Sequence, residues 1–247
     1  MIIAAAQTSP KDGNIEQNLN DHYRLINIAA DNGIKLIVFP EMSITGYVRE
    51  LAQKLSFTKN DSRLDALRKL ATDKKIIVVA GAPIKIDATL CIGSFVIYPN
   101  NTISIYTKQF LHTGEDEFFT PNFNNNPTIS IDNEQISLAI CADINNSMHA
   151  ENAKKANSTI YIASIFFTNT AITEAYNLLG NYAKNFSMNV LMSNYCGKSW
   201  GLEAGGKSAL WSNNGDLMNG LDASSTGLVI AQKSGDLWNG TIIKDRC

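Results

Sequence analysis

The sequence has no CxxC pair, no basic run and no apolar stretch long enough to span a bilayer. Its four cysteines, Cys91, Cys141, Cys196 and Cys247, stand far apart in 247 residues. That spacing argues against a disulfide framework and a zinc ribbon, makes a reducing cytoplasm the expected setting, and leaves a thiol available for chemistry. Lys and Arg number 21 against 23 Asp and Glu, a net charge of −2. The electrostatic footprint of a nucleic-acid or anionic-membrane binder is therefore missing. The longest apolar stretch, Ile76 to Pro83, is broken by Gly81 and falls far below the roughly 18 residues of a membrane helix. Met1 to Gln7 lacks a basic n-region and an adequate apolar h-region, so no signal peptide is expected. Hydrophobic residues are ample at 45%, enough for a sizeable core, and no Pro/Gly/Ser-rich linker divides the chain. One mixed α/β domain over 1–247 is expected.

Strand-like and helix-like segments alternate. Met1 to Gln7 reads as an apolar strand. Asn14 and Gln17 form a capping box for a helix through Ile15, Leu19, Tyr23, Ile26 and Ala30, which Asn32-Gly33 ends. Ile34 to Phe39 reads as a buried strand closing at Pro40-Glu41. Asp61 or Ser62 caps a second helix through Leu64, Leu67 and Leu70, followed by the β-branched run Ile76 to Val79. Hairpins are expected for Leu90–Tyr98 with Thr102–Tyr106 and for Thr128–Ile131 with Ile136–Ile140. A short helix (Glu151–Asn157), a strand (Thr159–Ala163), a helix (Glu174–Ser187) and a strand (Val190–Asn194) follow. Strands at Ser208–Trp211 and Gly227–Gln232 close the pattern.

Three ionisable residues lie where predicted strands end: Glu41, Lys108 and Cys141. Strand ends on an α/β sheet are where side chains converge on a crevice. Each alone has an ordinary explanation: a solvated loop carboxylate, a surface charge and a small buried hydrophobe. Together they make the set for thiol catalysis without histidine. The Lys108 ammonium is expected to lower the Cys141 thiol pKa, and an apolar setting around Phe39 and Pro40 to raise that of Glu41 toward a useful base.

Three stretches carry a resemblance: Val38 to Tyr47 (VFPEMSITGY), Tyr106 to Leu111 (YTKQFL) and Leu138 to Ile144 (LAICADI). In that order they resemble the nitrilase superfamily of carbon-nitrogen hydrolases, and the similarity extends to Ala4 to Gln7, Gly205 to Ser208 and Asn213 to Asp216. The resemblance implies a four-layer αββα sandwich that pairs with a second subunit as a homodimer or higher homo-oligomer, acts on a small-molecule amide and needs no cofactor. It implies Cys141 as nucleophile, Glu41 as general base and Lys108 as oxyanion stabiliser. A second glutamate is expected in Gly114 to Pro121, with Glu115 the better-aligned position and Glu117 the other. Where the pattern ends in glycine this chain has Asn122. Ala142, Asn145, Phe166 and Cys196 are the candidate substrate contacts, Ala142 through its backbone N–H.

Ala142-Asp143 follows the nucleophile where nitrile-cleaving members commonly carry Trp-Glu, which favours amide over nitrile hydrolysis or acyl transfer. Family members that take carboxylate-bearing substrates often place Arg three or four residues past the cysteine. Ile144 and Asn145 stand there, which favours a neutral or amine-bearing amide unless an arginine arrives from elsewhere. A metal site from His112, Cys141, Asp143 and His149 lacks a recognised ligand spacing. A Cys141-His149 dyad would leave Lys108 and Glu41 unexplained. The remaining alternative is a binding protein that has kept the fold without the chemistry.

Overall fold

A computed structural model describes residues 1–245. Cys247 lies outside them. The first part of the chain runs β1 (Ile2–Gln7), α1 (Ile15–Asp31), β2 (Leu36–Val38), α2 (Ala52–Leu55), α3 (Asp65–Lys74), β3 (Ile77–Ile86), β4 (Thr89–Ile97) and β5 (Ile103–Thr107). The second runs β6 (Ile129–Ile131), β7 (Glu134–Ile140), α4 (Ser147–Lys155), β8 (Ile160–Ser164), α5 (Ile172–Phe186) and β9 (Asn189–Ser193). A small hairpin of β10 (Lys198–Ser199) and β11 (Leu202–Glu203) precedes β12 (Ala209–Trp211), β13 (Leu217–Gly220), β14 (Gly227–Ser234) and β15 (Leu237–Lys244).

The strands form a seven-stranded sheet, β15-β14-β1-β2-β3-β4-β5, and a six-stranded sheet, β13-β12-β9-β8-β7-β6. Each has three parallel strands at its centre, β1-β2-β3 and β7-β8-β9, joined through α1 and α3 and through α4 and α5. The alternation of side chains along a strand then assigns the layers. Ile3, Ala5, Leu36 and Val38 share one core with Ile136, Leu138, Ile160 and Ile162, so these faces of the two sheets pack together. Ala4, Ala6, Ile37 and Val78 face Leu25, Ile26 and Leu67 of the α1 and α3 helices. Ala139, Tyr161, Ala163 and Val190 face Ala153, Leu179 and Ala183 of α4 and α5. The result is the αββα order expected from the sequence. Both faces of each central strand are covered, which is why these strands read as continuous apolar runs.

Asn14 caps α1 by accepting from Gln17 N–H at 3.0 Å, and Gly33 ends it at φ 70°. α4 begins at Ser147, four residues before the expected Glu151, because Asn146 accepts from the Met148 N–H as its cap. The larger difference is β3, which continues past Val79 through Pro83 to pair with β4. Proline is tolerated because β2 pairs only as far as Val79 and the Pro83 carbonyl, on the β2 side, accepts from Phe57 N–H. Its missing donor therefore subtracts nothing from the β3–β4 ladder. β13 and β15 were not foreseen either. β15 returns from β14 through Gly235-Asp236, with Gly235 at φ 59° supplying a turn few other residues adopt. Among the described residues no helix is long and apolar enough to cross a membrane.

Candidate active site

Glu41 lies on a loop laid across β3. Phe39 N–H donates to Val79 O at 2.9 Å and Ile44 N–H to Gly81 O at 3.0 Å. A Cβ at Gly81 would stand 2.5 Å from Met42 N and 3.0 Å from Pro40 O, so only glycine lets this loop approach. Lys108 leaves the end of β5, its N–H bonded to Ile92 O. Cys141 follows the last residue of β7 and opens a 3-10 turn, Cys141–Asn145, at φ 43°. A β-strand, a left-handed residue and a helical turn together push the side chain out at the end of the sheet.

These elements bring three fully buried charged groups together. Lys108 Nζ donates to Glu41 Oε1 at 2.7 Å and to Glu115 Oε1 at 2.8 Å. Glu115, rather than the exposed Glu117, is the second glutamate at the lysine. It is anchored by Tyr47 OH on Oε1 (2.6 Å) and by the His112 N–H on Oε2 (2.7 Å). Tyr195 OH donates to the Glu41 backbone carbonyl. An ammonium has three donors, and two of them are taken by carboxylates. Glu41 Oε2 is buried with no partner in full hydrogen-bond geometry, and the Cys141 thiol is near enough to the Glu41 carboxyl to favour its charged form, which leaves that oxygen open to the thiol proton.

Burial pushes the Glu41 carboxyl up to about 7, against the opposing pull of Lys108 and with help from the Glu115 charge. Burial alone would lower Lys108, but the Glu41 and Glu115 charges outweigh it and keep the ammonium protonated beyond its ordinary range. The Cys141 thiol differs from the sequence expectation. Burial and the Glu41 carboxylate, with Glu115 added, overcome the effect of Lys108 and raise it well above the ordinary thiol value. One ammonium is outweighed by two carboxylates and a dry site. The resting group is a thiol, and it needs a base.

Asp143 holds the turn. Its Oδ1 accepts from the Gln109 and Phe110 N–H groups (both 2.9 Å), and its Oδ2 from Ile140 N–H (2.8 Å) and Tyr106 OH (2.6 Å). One carboxylate thus ties the residue before Cys141 to the residues after Lys108. Behind it, His149 Nε2 lies 2.8 Å from Tyr106 OH and Nδ1 2.8 Å from Tyr161 OH. Burial lowers the His149 pKa against the pull of Asp143, so a neutral ring accepts from Tyr161 and donates to Tyr106. These groups serve one another rather than a metal or a dyad with Cys141.

A family model described as carbon-nitrogen hydrolase matches residues 2–239. The chain belongs to that family. The chain is 28% identical over 148 residues to a nitrilase of Pyrococcus abyssi, an alignment covering 57% of this chain and 55% of the relative. It is 28% identical over 150 residues to a glutamine-dependent NAD(+) synthetase of Thermotoga maritima, covering 58% and 25% respectively. The aligned part is about half of the one relative and a quarter of the other. In structure it resembles the NitN amidase of Nesterenkonia sp. AN1, with a TM-score of 0.84, 22% identity and coverage of 96% and 94% of the two chains. A glutamate-to-glutamine variant of that amidase carries the Michael adduct of acrylamide on its active-site cysteine.

A cavity of about 330 Å³ opens onto Cys141, with Tyr47, Arg49, Asn145, Phe166, Trp200 and Leu202 in its wall. Asn145 and Phe166 thus reach the cavity as expected. Cys196 does not: it is buried, its N–H bonded to Thr8 O, and it is absent from the lining. Ala142 is also buried behind the lining, but its N–H lies in the first turn of a 3-10 helix, where amides lack an intrahelical acceptor. Sequence reasoning missed Tyr47 and Arg49 as site residues, although Tyr47 ends the first motif. The sequence offers Asp143 as a mark of amide chemistry and a metal ligand and His149 as a metal ligand or dyad partner, and does not show the clamp that they form with Tyr106.

Proposed function

We propose that this hydrolase cleaves a small-molecule amide through a thioester on Cys141. The observation that supports it most directly is the open Glu41 Oε2 in the same buried cluster as a protonated Cys141 and a Lys108 with one donor unused. Glu41 takes the thiol proton and the sulfur attacks the amide carbon. The carbonyl oxygen, now an oxyanion, is met by the third Lys108 donor and by the Ala142 N–H. As the C–N bond breaks, Glu41 returns the proton to the departing ammonia or amine. Water, deprotonated by Glu41, then attacks the thioester, releasing the acid and restoring the thiol. The sum is amide plus water giving acid plus ammonia or amine.

The comparisons agree with this reading: the cysteine-to-alanine variant of the Nesterenkonia amidase was captured with butyramide. Ala142-Asp143 after the nucleophile favours amide over nitrile. Ammonia release from short amides, nitriles and carbamoyl compounds tests it, with Cys141→Ala as control. Release from amides, abolished in Cys141→Ala, is expected. Release confined to nitriles would overturn the substrate class, and a bound ligand with no turnover would make the chain a binding protein. We also propose that it acts in the cytoplasm as a homodimer or higher homo-oligomer; light scattering showing a monomer would refute the assembly.

A further inference from the structure

Among the described residues, the cavity wall holds a cation with no carboxylate within ion-pair distance. Arg49 opens the 3-10 turn Arg49–Leu51, two residues past Tyr47. Its guanidinium carbon lies 3.9 Å from the centre of the Trp200 ring, 5.9 Å from Tyr47 and 6.0 Å from Phe118. The ring it stacks on is itself fixed. Asp12 accepts from Ser199 OH at 2.6 Å and from Trp200 N–H at 2.8 Å, which holds the β10–β11 turn against the cavity. Glu50, the next residue, accepts from the Trp200 indole N–H at 3.0 and 3.2 Å and feels the Arg49 charge without forming an ion pair with it. Among the described residues Arg49 makes no ion pair, and its Nε is buried without a hydrogen-bond partner.

A guanidinium stacked on an aromatic face keeps its edge free, and that edge matches a carboxylate in bidentate geometry. Arg49 lines the cavity with no carboxylate in ion-pair range, so a ligand that brings one to the guanidinium gains more than one that does not. We propose that Arg49 binds a carboxylate at the far end of the substrate, making this hydrolase an amidase of short aliphatic amides that carry a distal carboxylate. This rests on the amide reading above. It also reverses the expectation drawn from Ile144 and Asn145, because the arginine arrives from the loop after Tyr47 instead of the turn after Cys141. Glu174, also in the wall, does not argue for a cationic substrate. It is exposed in the first turn of α5, where the helix dipole accounts for an acid.

The test compares butyramide with succinamate and valeramide with glutaramate, in the native protein and in Arg49→Met, which keeps bulk against Trp200 without the charge. A charge-assisted pair predicts a roughly 10- to 100-fold preference in kcat/KM for the carboxylated member, expressed in KM. Arg49→Met should erase that ratio and Arg49→Lys restore part of it. Because each ratio is read within one variant, a general loss of activity cancels. Calorimetric titration of succinamate into Cys141→Ala, against Cys141→Ala with Arg49→Met, reads the subsite without turnover. Binding that depends on Arg49 supports the subsite even if no amide is cleaved. Equal or better use of neutral amides, a preference for cationic amides, or binding indifferent to Arg49 overturns it.

Discussion

Removing the Glu115 charge should shift the pH dependence of the reaction downward. Only ionised Glu41 can accept the Cys141 proton, and burial pushes that carboxyl up to about 7. In the native protein kcat/KM should therefore rise with pH through about 7 and then level off, because Lys108 is held protonated beyond its ordinary range. Glu115 is one of the groups that raise Glu41. Both carboxylates bond the same Nζ, at 2.7 and 2.8 Å, so their bonded oxygens are within about 5.5 Å of each other. Two like charges at that separation repel by about 3 kcal/mol at an effective dielectric of 20, equivalent to about 2 pH units. Glu115→Gln removes the charge and keeps an oxygen for Tyr47 and Lys108. The amide nitrogen that replaces Oε2 meets the His112 N–H, so the plateau should fall as well. The expected result is an acidic limb displaced downward by about 1 to 2 pH units on a lower plateau, measured as kcat/KM for ammonia release from pH 4.5 to 9. A limb that stays near 7, or moves upward, would refute the assignment of Glu41 as the titrating base.

Gly81→Ala should abolish most activity while leaving a folded protein, because its Cβ meets the Met42 and Pro40 backbone and displaces the loop carrying Glu41. Circular dichroism with ammonia release checks this, and native turnover would contradict it. Tyr106→Phe removes the donor to Asp143 and the partner of His149, at a cost of about 1 to 3 kcal/mol. At this chain length that lowers Tm by roughly 2 to 12 °C, and a calorimetric Tm unchanged within error would show that the clamp adds nothing.

The frame of the site was legible because it follows from periodicity. Apolar strands interrupted by Glu41, Lys108 and Cys141 at their ends are visible without coordinates, and the sheets do bring Glu41 and Lys108 into contact. Choosing between Glu115 and Glu117 was not legible, since both lie in one short loop and only burial separates them. Arg49 and Trp200 are 151 positions apart and meet through a two-residue turn fixed by Asp12, a contact no local pattern encodes. The continuation of β3 through Pro83 was hidden for a related reason: proline normally ends a strand, and its tolerance depends on how far β2 extends. The thiol's charge state failed on arithmetic. One lysine in sequence suggests a lowered pKa, whereas burial raises it most and the Glu41 and Glu115 charges add to that, so the pull of Lys108 is outweighed.

That arithmetic bears on why the site carries two carboxylates around one ammonium. In the proposed reaction a single negative charge sits on Glu41, moves to sulfur when the proton crosses, and then to the carbonyl oxygen. It is never created, only relocated, and Lys108 is the cation for each position. Such an arrangement gains from fixed geometry, because dipoles and charges already in place need no reorganisation as the charge moves. Cys141 is held at φ 43°, a region that costs a non-glycine residue on the order of 1 to 3 kcal/mol. Asp143 supplies the constraint by bonding Ile140 on one side and Gln109 and Phe110 on the other. The same carboxylate therefore sets both the strained nucleophile turn and the strand exit that carries Lys108. A change at Asp143 should alter the Cys141–Lys108 relation before it alters either residue's own fold.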